Sequence, residues 1–308
     1  MPPNPNVTVK INLAQLRANT QHIAHQTNTK IIAVVKADAY GLGAAKVAET
    51  IADLVEAFYV FTPGEAIEYD LYPRTGKRSI ALLTDPSMLD QCIAHRVHPA
   101  VWTLPAARLF HKAQPALSID CGQGRFGCRP DQAGELLKAA SITEAFTHAS
   151  TPAQAAVFAS ATAAHPCFRH AAGTALLDDP ASRFDAVRPG LALYAGVATV
   201  TCNLVDARDS TGKAGYTQFQ TPRYGVILIG YSNGLRPGPC TVNGNPRRIL
   251  EVGMQSAFIE LGPHDRAGDP VTLLGGSITE AALAREWRST PHEVLLQLTR
   301  AARRHYTD

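Results

Sequence analysis

The chain has 308 residues, 45% apolar and 18% charged, with a formal net charge of +3. That is enough for a sizeable core and, by length, about two domains. Its lysines and arginines are dispersed, which excludes a nucleic-acid footprint and a polybasic membrane patch. No apolar run approaches the ~20 residues needed to span a bilayer, and the polar start MPPNPN lacks a signal-peptide core, so a cytoplasmic location is expected. The six cysteines show neither the density of a disulfide scaffold nor a CxxC spacing; free thiols, several of them buried, and no metal site are expected.

After the first residues, VTVKINLAQLRANTQHI reads as a short strand and then a helix with Leu13, Leu16 and Ile23 on one face. From there apolar runs alternate with helical stretches. The runs lie at 31–38, 57–61, 79–84, 98–103, 115–121, 144–150, 167–173 and 187–195. Eight βα units in a row, with strands apolar on both faces, predict an α/β fold built on a closed parallel (β/α)8 TIM-like barrel. An open doubly wound sheet is the alternative, disfavoured by the count and by the lack of G-x-G-x-x-G after the first strand.

Beyond about residue 198 the pattern changes to short alternating strands punctuated by Gly, Pro and Asn, which predicts a small antiparallel β domain. The expected division is a barrel over 8–198 and a β domain over 199–308, which residues 1–10 are candidates to join. A polar loop within 199–215 is expected to cover the junction. The last helix, TPHEVLLQLTRAARRH, opens with a Thr290 cap and Glu293 three residues on, and the basic stretch 300–306 reads as its solvated end.

Polar residues fall at the ends of the barrel runs. Lys36 ends the first, Asp120 and Arg125 follow the fifth, His148 closes the sixth, the Gly173-Thr174 turn follows the seventh, and Arg188 lies in the eighth. Barrel active sites are built at the C-terminal ends of strands, so these residues are expected at one mouth. A lysine closing a buried run must be paired, desolvated into neutrality or used covalently. The covalent use makes Lys36 a Schiff-base candidate, against the plain alternative of a lysine fraying into solvent.

In this context VVKADAYGLG and VRPGLALYAG resemble motifs of the alanine racemase family, fold-type III pyridoxal-phosphate enzymes with an N-terminal barrel, a C-terminal β domain and a dimeric active site. DCGQGRFGC, THAS, HAAGTALL, IGYSNG and TPHEVL match less closely, in the same order, so the resemblance covers about residues 7 to 306. It implies that Lys36 carries pyridoxal 5′-phosphate and exchanges the α-proton on one face of the substrate. It also implies that Tyr40 binds the phosphate and that Arg125 steadies the cofactor and the substrate carboxylate. His148 then lies beside the pyridine ring, and Arg188 faces its nitrogen. Gly190, Leu191 and Thr174, the last where the family usually has serine, complete the phosphate site, and Met254 and Tyr231 are implied on the substrate side.

The family's second proton carrier is a tyrosine from the other subunit, in a strand where an aromatic follows four residues later. Here Tyr216 precedes Phe219 by three, a slip that would turn it to the wrong strand face unless a bulge restores it; counting back from Tyr231 puts Gly212 there instead, beside Lys213. Other departures are Gly173 for asparagine, Ser118 for the supporting lysine, Met254-Gln255 for Met-Asp and His292 for the gate tyrosine. The expectation is a dimeric, cytoplasmic amino-acid racemase or epimerase whose small amino-acid substrate need not be alanine, the changed gate leaving room for a bulkier one. Related carbanion chemistry (decarboxylation, retro-aldol cleavage, elimination) and a non-catalytic cofactor-binding protein are the alternatives.

Overall fold

In the computed structural model, which describes residues 4–308, an N-terminal strand β1 (Val7–Asn12) and the helix Leu13–Thr27 precede the barrel strands. These are β2 (Lys30–Val34), β3 (Ala57–Val60), β4 (Ser79–Ala81), β5 (Val97–Val101), β6 (Ala116–Ser118), β7 (Glu144–Ala149), β8 (Phe168–Ala172) and β9 (Ala186–Val187). They pair in parallel in chain order, and β9 returns to β2 to close the barrel. The period-2 alternation of a strand sends Ile32, Tyr59, Ile80, Ala100 and Phe146 into one interior cluster. Several strand-to-helix turns share a start signal. Thr62 and Thr151 stand directly before Pro63 and Pro152 at the helix start, and the Thr151 hydroxyl accepts the Gln154 N–H at 3.3 Å.

At the N-terminal end of the barrel the interior is polar. The buried Glu144 carboxylate accepts both arms of the Arg78 guanidinium, at 2.9 and 3.0 Å, and lies 3.2 Å from His170 Nε2. His170 stacks flat on Phe146, with ring centroids 5.3 Å apart.

The chain divides into two compact units, one of residues Leu16–Ala39 and Gly43–Tyr194, the other of the segments up to Gln15, Tyr40–Leu42 and Ala195–Asp308. The second unit carries β10 (Ala198–Asp209), β11 (Arg223–Ile227), β12 (Gly238–Val242), β13 (Asn245–Val252), β14 (Ala257–Glu260), β15 (Pro270–Leu274) and β16 (Arg304–Thr307). With β1 they form one sheet in the order β11-β14-β13-β12-β15-β10-β1-β16, and an extra β10–β11 pairing joins the two ends of its first six strands.

Several local expectations change. The first barrel strand stops at Val34 and not near Asp38, because the backbone turns left-handed after Lys36. The eighth is two residues long, since Pro189-Gly190 ends it, and Leu191–Tyr194 is a helical turn. The strand β10 runs to Asp209, so the polar loop expected within 199–215 is confined to the residues after it. The basic tail is no helix end: the helix Pro291–Thr299 stops and β16 pairs in parallel with β1, so the sheet is not purely antiparallel. The six cysteines are free thiols, five of them buried.

Candidate functional site

The barrel mouth is organised around Lys36, which follows β2 by two residues and is half-buried. Burial pushes its amine below the ordinary lysine range, and the charges of Arg125 and Arg188 push it further down, with Glu65 opposing. A lysine so placed has a larger neutral, nucleophilic fraction than one in solvent.

The backbone beyond it is unusual. Ala37, Asp38, Ala39 and Tyr40 all have φ between 51° and 59°, four consecutive non-glycine residues in the left-handed region. Such a turn costs roughly 1–2 kcal/mol per residue, so the surroundings must impose it. Glu65, in the helix Pro63–Glu68 after β3, accepts the Ala37 N–H at 2.9 Å and the Phe61 N–H at 2.7 Å, tying the turn to the end of β3. The Asp38 carboxylate accepts the Ala44 N–H, the first amide of the helix Ala44–Ile51, at 2.7 Å.

Arg188 follows β9 and is buried between aromatic faces, its guanidinium carbon 4.9 Å from the Tyr59 ring centroid and 4.8 Å from that of Phe146. Nη2 donates to the Thr147 carbonyl at 2.5 Å, whereas Nη1 finds no partner among the described residues. A buried donor without an acceptor is costly, and an acceptor atom on a bound molecule would satisfy it.

Arg125 is presented by a tight loop. The Asp120 carboxylate accepts the N–H groups of Gly122, Gln123 and Gly124 at 3.0, 2.8 and 3.0 Å. Burial alone would raise its pKa, but these donors outweigh it and hold the group below the usual carboxylate range. The Arg125 side chain is exposed and lies over the Phe126 ring.

His148, near the end of β7, is exposed, and a β-carbon on Gly173 would come within 3.8 Å of its ring. The Gly190 and Ala192 N–H groups both point to the Thr174 hydroxyl oxygen, at 3.4 and 3.2 Å, with Leu191 half-buried between them. These long, shared bonds leave amides and a hydroxyl available to an anion with several acceptor oxygens.

Within the second unit, Tyr40 is buried and its hydroxyl pushed up to about 12 by that burial, so it remains a protonated donor. Its ring lies 5.4 Å from that of His292, and its carbonyl accepts the Thr299 hydroxyl at 3.3 Å. Tyr231, Met254 and Tyr216 stand out from this unit, 57%, 61% and 93% exposed. Residues 231–232 are zipped to 253–254, Tyr231 N–H to Gly253 O at 2.9 Å and Ser232 N–H to Met254 O at 3.1 Å. Tyr216 lies in the connection between β10 and β11, not in a strand, so the feared one-residue slip of strand register does not apply to it.

Arg125 and Arg188 thus lie near enough to Lys36 for their charges to act on its amine, and His148 stands beside the Gly173 turn. Sequence reasoning missed Glu65 and the Tyr59–Phe146 cradle. Glu65 had a signal, a Thr-Pro-x-Glu helix start after a barrel strand. The cradle had none beyond strand alternation.

Comparison with known proteins supplies further findings. Residues 11–197 match the family model described as "Alanine racemase, N-terminal domain", and 198–306 the one described as "Alanine racemase, C-terminal domain". An alanine racemase of Shigella boydii serotype 18 is 30% identical over 362 residues, 98% of this chain and 99% of the relative. That span exceeds the 308 residues here, so the relative carries additional internal segments. Among solved structures, alanine racemase from D-cycloserine-producing Streptomyces lavendulae superposes with TM-score 0.90 at 22% identity, covering 99% of this chain and 98% of that one. Alanine racemase from Bartonella henselae, solved with covalently bound pyridoxal phosphate, gives 0.87 at 23% identity over 99% of this chain and 100% of that one. At these identities the structures establish a shared fold.

Proposed function

Because the chain belongs to the alanine racemase family, we propose that it is a pyridoxal 5′-phosphate-dependent amino-acid racemase in which Lys36 holds the cofactor and exchanges the substrate α-proton on one face, while Tyr216 serves the other. Pyridoxal phosphate bound here would supply the electron withdrawal that acidifies the hydrogen on the substrate Cα. The observation that carries the reading is the meeting, at one barrel mouth, of a Lys36 amine pushed below its ordinary range with a buried Arg188 that has a donor to spare.

Each further residue takes a role its chemistry suits. Arg188, permanently charged, has Nη1 free to donate and would hold the cofactor's ring nitrogen as an acceptor, disfavouring its protonation. Thr174, Gly190 and Leu191 bind the phosphate, and Tyr40 adds a protonated hydroxyl. His148 flanks the ring, and Arg125 takes the substrate carboxylate with its donor fork. Met254 and Tyr231 border the substrate. His292 at the gate supports a side chain larger than methyl.

Tyr216, Tyr231 and Met254 are each exposed, and a homodimer would present them to the partner's barrel mouth. Mixing two inactive variants, Lys36→Ala and Tyr216→Phe, then restores about a quarter of the activity, because half of the dimers are mixed and each mixed dimer has one intact site. No recovery would rule out sites completed between subunits.

The direct test incubates the loaded enzyme with a panel of L- and D-amino acids in deuterated water, following chirality, α-deuterium and mass. Inversion with deuterium uptake is expected, fastest on a substrate larger than alanine. New product masses would turn the reading to decarboxylation or cleavage, and inertness on every substrate to a cofactor-binding protein. Lys36→Ala should abolish the borohydride-trapped adduct; its persistence would remove Lys36 from the site.

A further inference from the structure

Glu251, in β13, has its carboxylate committed to one short loop. It is 6% exposed, and no ion-pair partner is found for it among the described residues. Oε1 accepts the Tyr216 N–H at 2.9 Å; Oε2 accepts the Thr217 N–H at 2.6 Å and the Thr217 hydroxyl at 2.5 Å. A buried carboxylate without a cation is retained only where such donors satisfy it.

The strand is shaped for this contact. The β13–β14 register shifts between Ile249 and Glu251, a bulge of the kind that re-aims a side chain. Gly215, with φ 70°, lets the loop close on the carboxylate, since a β-carbon there would lie 2.6 Å from Oε2. Ala214 and Phe219 bridge the loop's ends, and the Phe219 ring is seated at 5.7 Å from Tyr224 and 5.3 Å from Phe258.

Tyr216 therefore combines a side chain 93% exposed with a backbone held from three sides. Exposed loop tyrosines otherwise sample many orientations, and ordering them in advance lowers what must be lost on reaching a partner. We propose that Glu251 is the positioning residue of Tyr216, fixing its backbone so that the phenol is delivered in register to the substrate; this rests on the reading of Tyr216 as the second proton carrier. The carboxylate touches no reacting atom. It acts through the two amides and the hydroxyl it accepts.

The test compares Tyr216→Phe, Glu251→Ala and the nearly isosteric Glu251→Gln with the wild-type holoenzyme in deuterated water. A displaced catalytic group loses on the order of a hundredfold in rate. Glu251→Ala should cut kcat for inversion by that order with KM little moved, while α-deuterium exchange without inversion persists on the one enantiomer served by Lys36. Tyr216→Phe should show the same split, and Glu251→Gln, which keeps one acceptor oxygen, an intermediate loss. In the cofactor-free protein, hydrogen exchange at the Tyr216 and Thr217 amides should accelerate in Glu251→Ala, and less so in Glu251→Gln.

A crippled Tyr216→Phe enzyme beside unaffected Glu251 variants would overturn the proposal alone. Full inversion by Tyr216→Phe would overturn the reading beneath it, and the proposal with it. Equal loss of inversion and of exchange on both enantiomers, together with a lost Lys36 adduct, would mark general damage and also overturn it. If Glu251→Ala does not fold, the Gln variant decides between these outcomes.

Discussion

Replacing His170 by glutamine should flatten the acid limb of the protein's stability. His170 is fully buried in the barrel, its Nε2 3.2 Å from Glu144 and its Nδ1 without a partner among the described residues. Burial pushes the imidazole down from 6.5 to about 4, against the pull of Glu144 and with the help of Arg188. Between those two values the unfolded chain binds a proton that the folded barrel refuses. The contribution is complete above pH ~6.5 and is lost as pH falls towards ~4. At 1.36 kcal/mol per unit this comes to about 3 kcal/mol across the window. Glutamine keeps a donor for Glu144 but does not titrate. Urea unfolding of both proteins at steps from pH 7.5 to 4 should therefore show the wild type losing about 3 kcal/mol more than the variant. Any constant offset from lost stacking on Phe146 cancels in that difference, as do groups remote from His170; Glu144, whose carboxyl burial would raise and His170 helps hold down, keeps an amide donor from the glutamine. Parallel pH profiles would refute a neutral, buried His170.

Two further outcomes concern the site itself. Glu65→Ala removes the acceptor of the Ala37 and Phe61 amides, and should cost about 2–4 kcal/mol in a denaturant melt and weaken adduct formation at Lys36; a variant with wild-type stability and adduct yield would show that the turn holds itself. Arg188→Met removes one of the two cations that lower the Lys36 amine, so the pH midpoint for acylation of Lys36 in cofactor-free protein, followed by mass spectrometry, should rise, and an unmoved midpoint would contradict the electrostatic account.

The barrel was legible because eight apolar runs of even spacing leave few other ways to bury both strand faces. Lys36 was legible as a lysine closing an apolar run, whereas Arg125, four residues past its run, and Arg188, near the start of the eighth, stood out through the motifs around them. The left-handed turn was not, since Ala-Asp-Ala-Tyr carries no glycine to announce positive φ. Tyr216 was read by strand alternation, a rule that lapses in a turn held by Glu251, 35 residues downstream. The strand at 304–307 escaped because its partner, β1, lies almost the whole chain away, and local periodicity carries no record of a pairing at that distance.

The turn after Lys36 bears on how the protein comes into being. Its own four residues favour other shapes, and it is held by Glu65, 28 positions from Ala37, while the Thr299 hydroxyl, 259 positions from Tyr40, reaches Tyr40 O at 3.3 Å beside its shorter bond to Leu295 O at 2.7 Å. A nascent chain halted before Thr299 lacks this second contact, so the turn has all its holds only once residue 299 is in place. If Lys36 holds the cofactor as proposed, then on refolding the borohydride-trappable adduct should appear only after the far-UV signal has recovered, and simultaneous recovery would contradict this order.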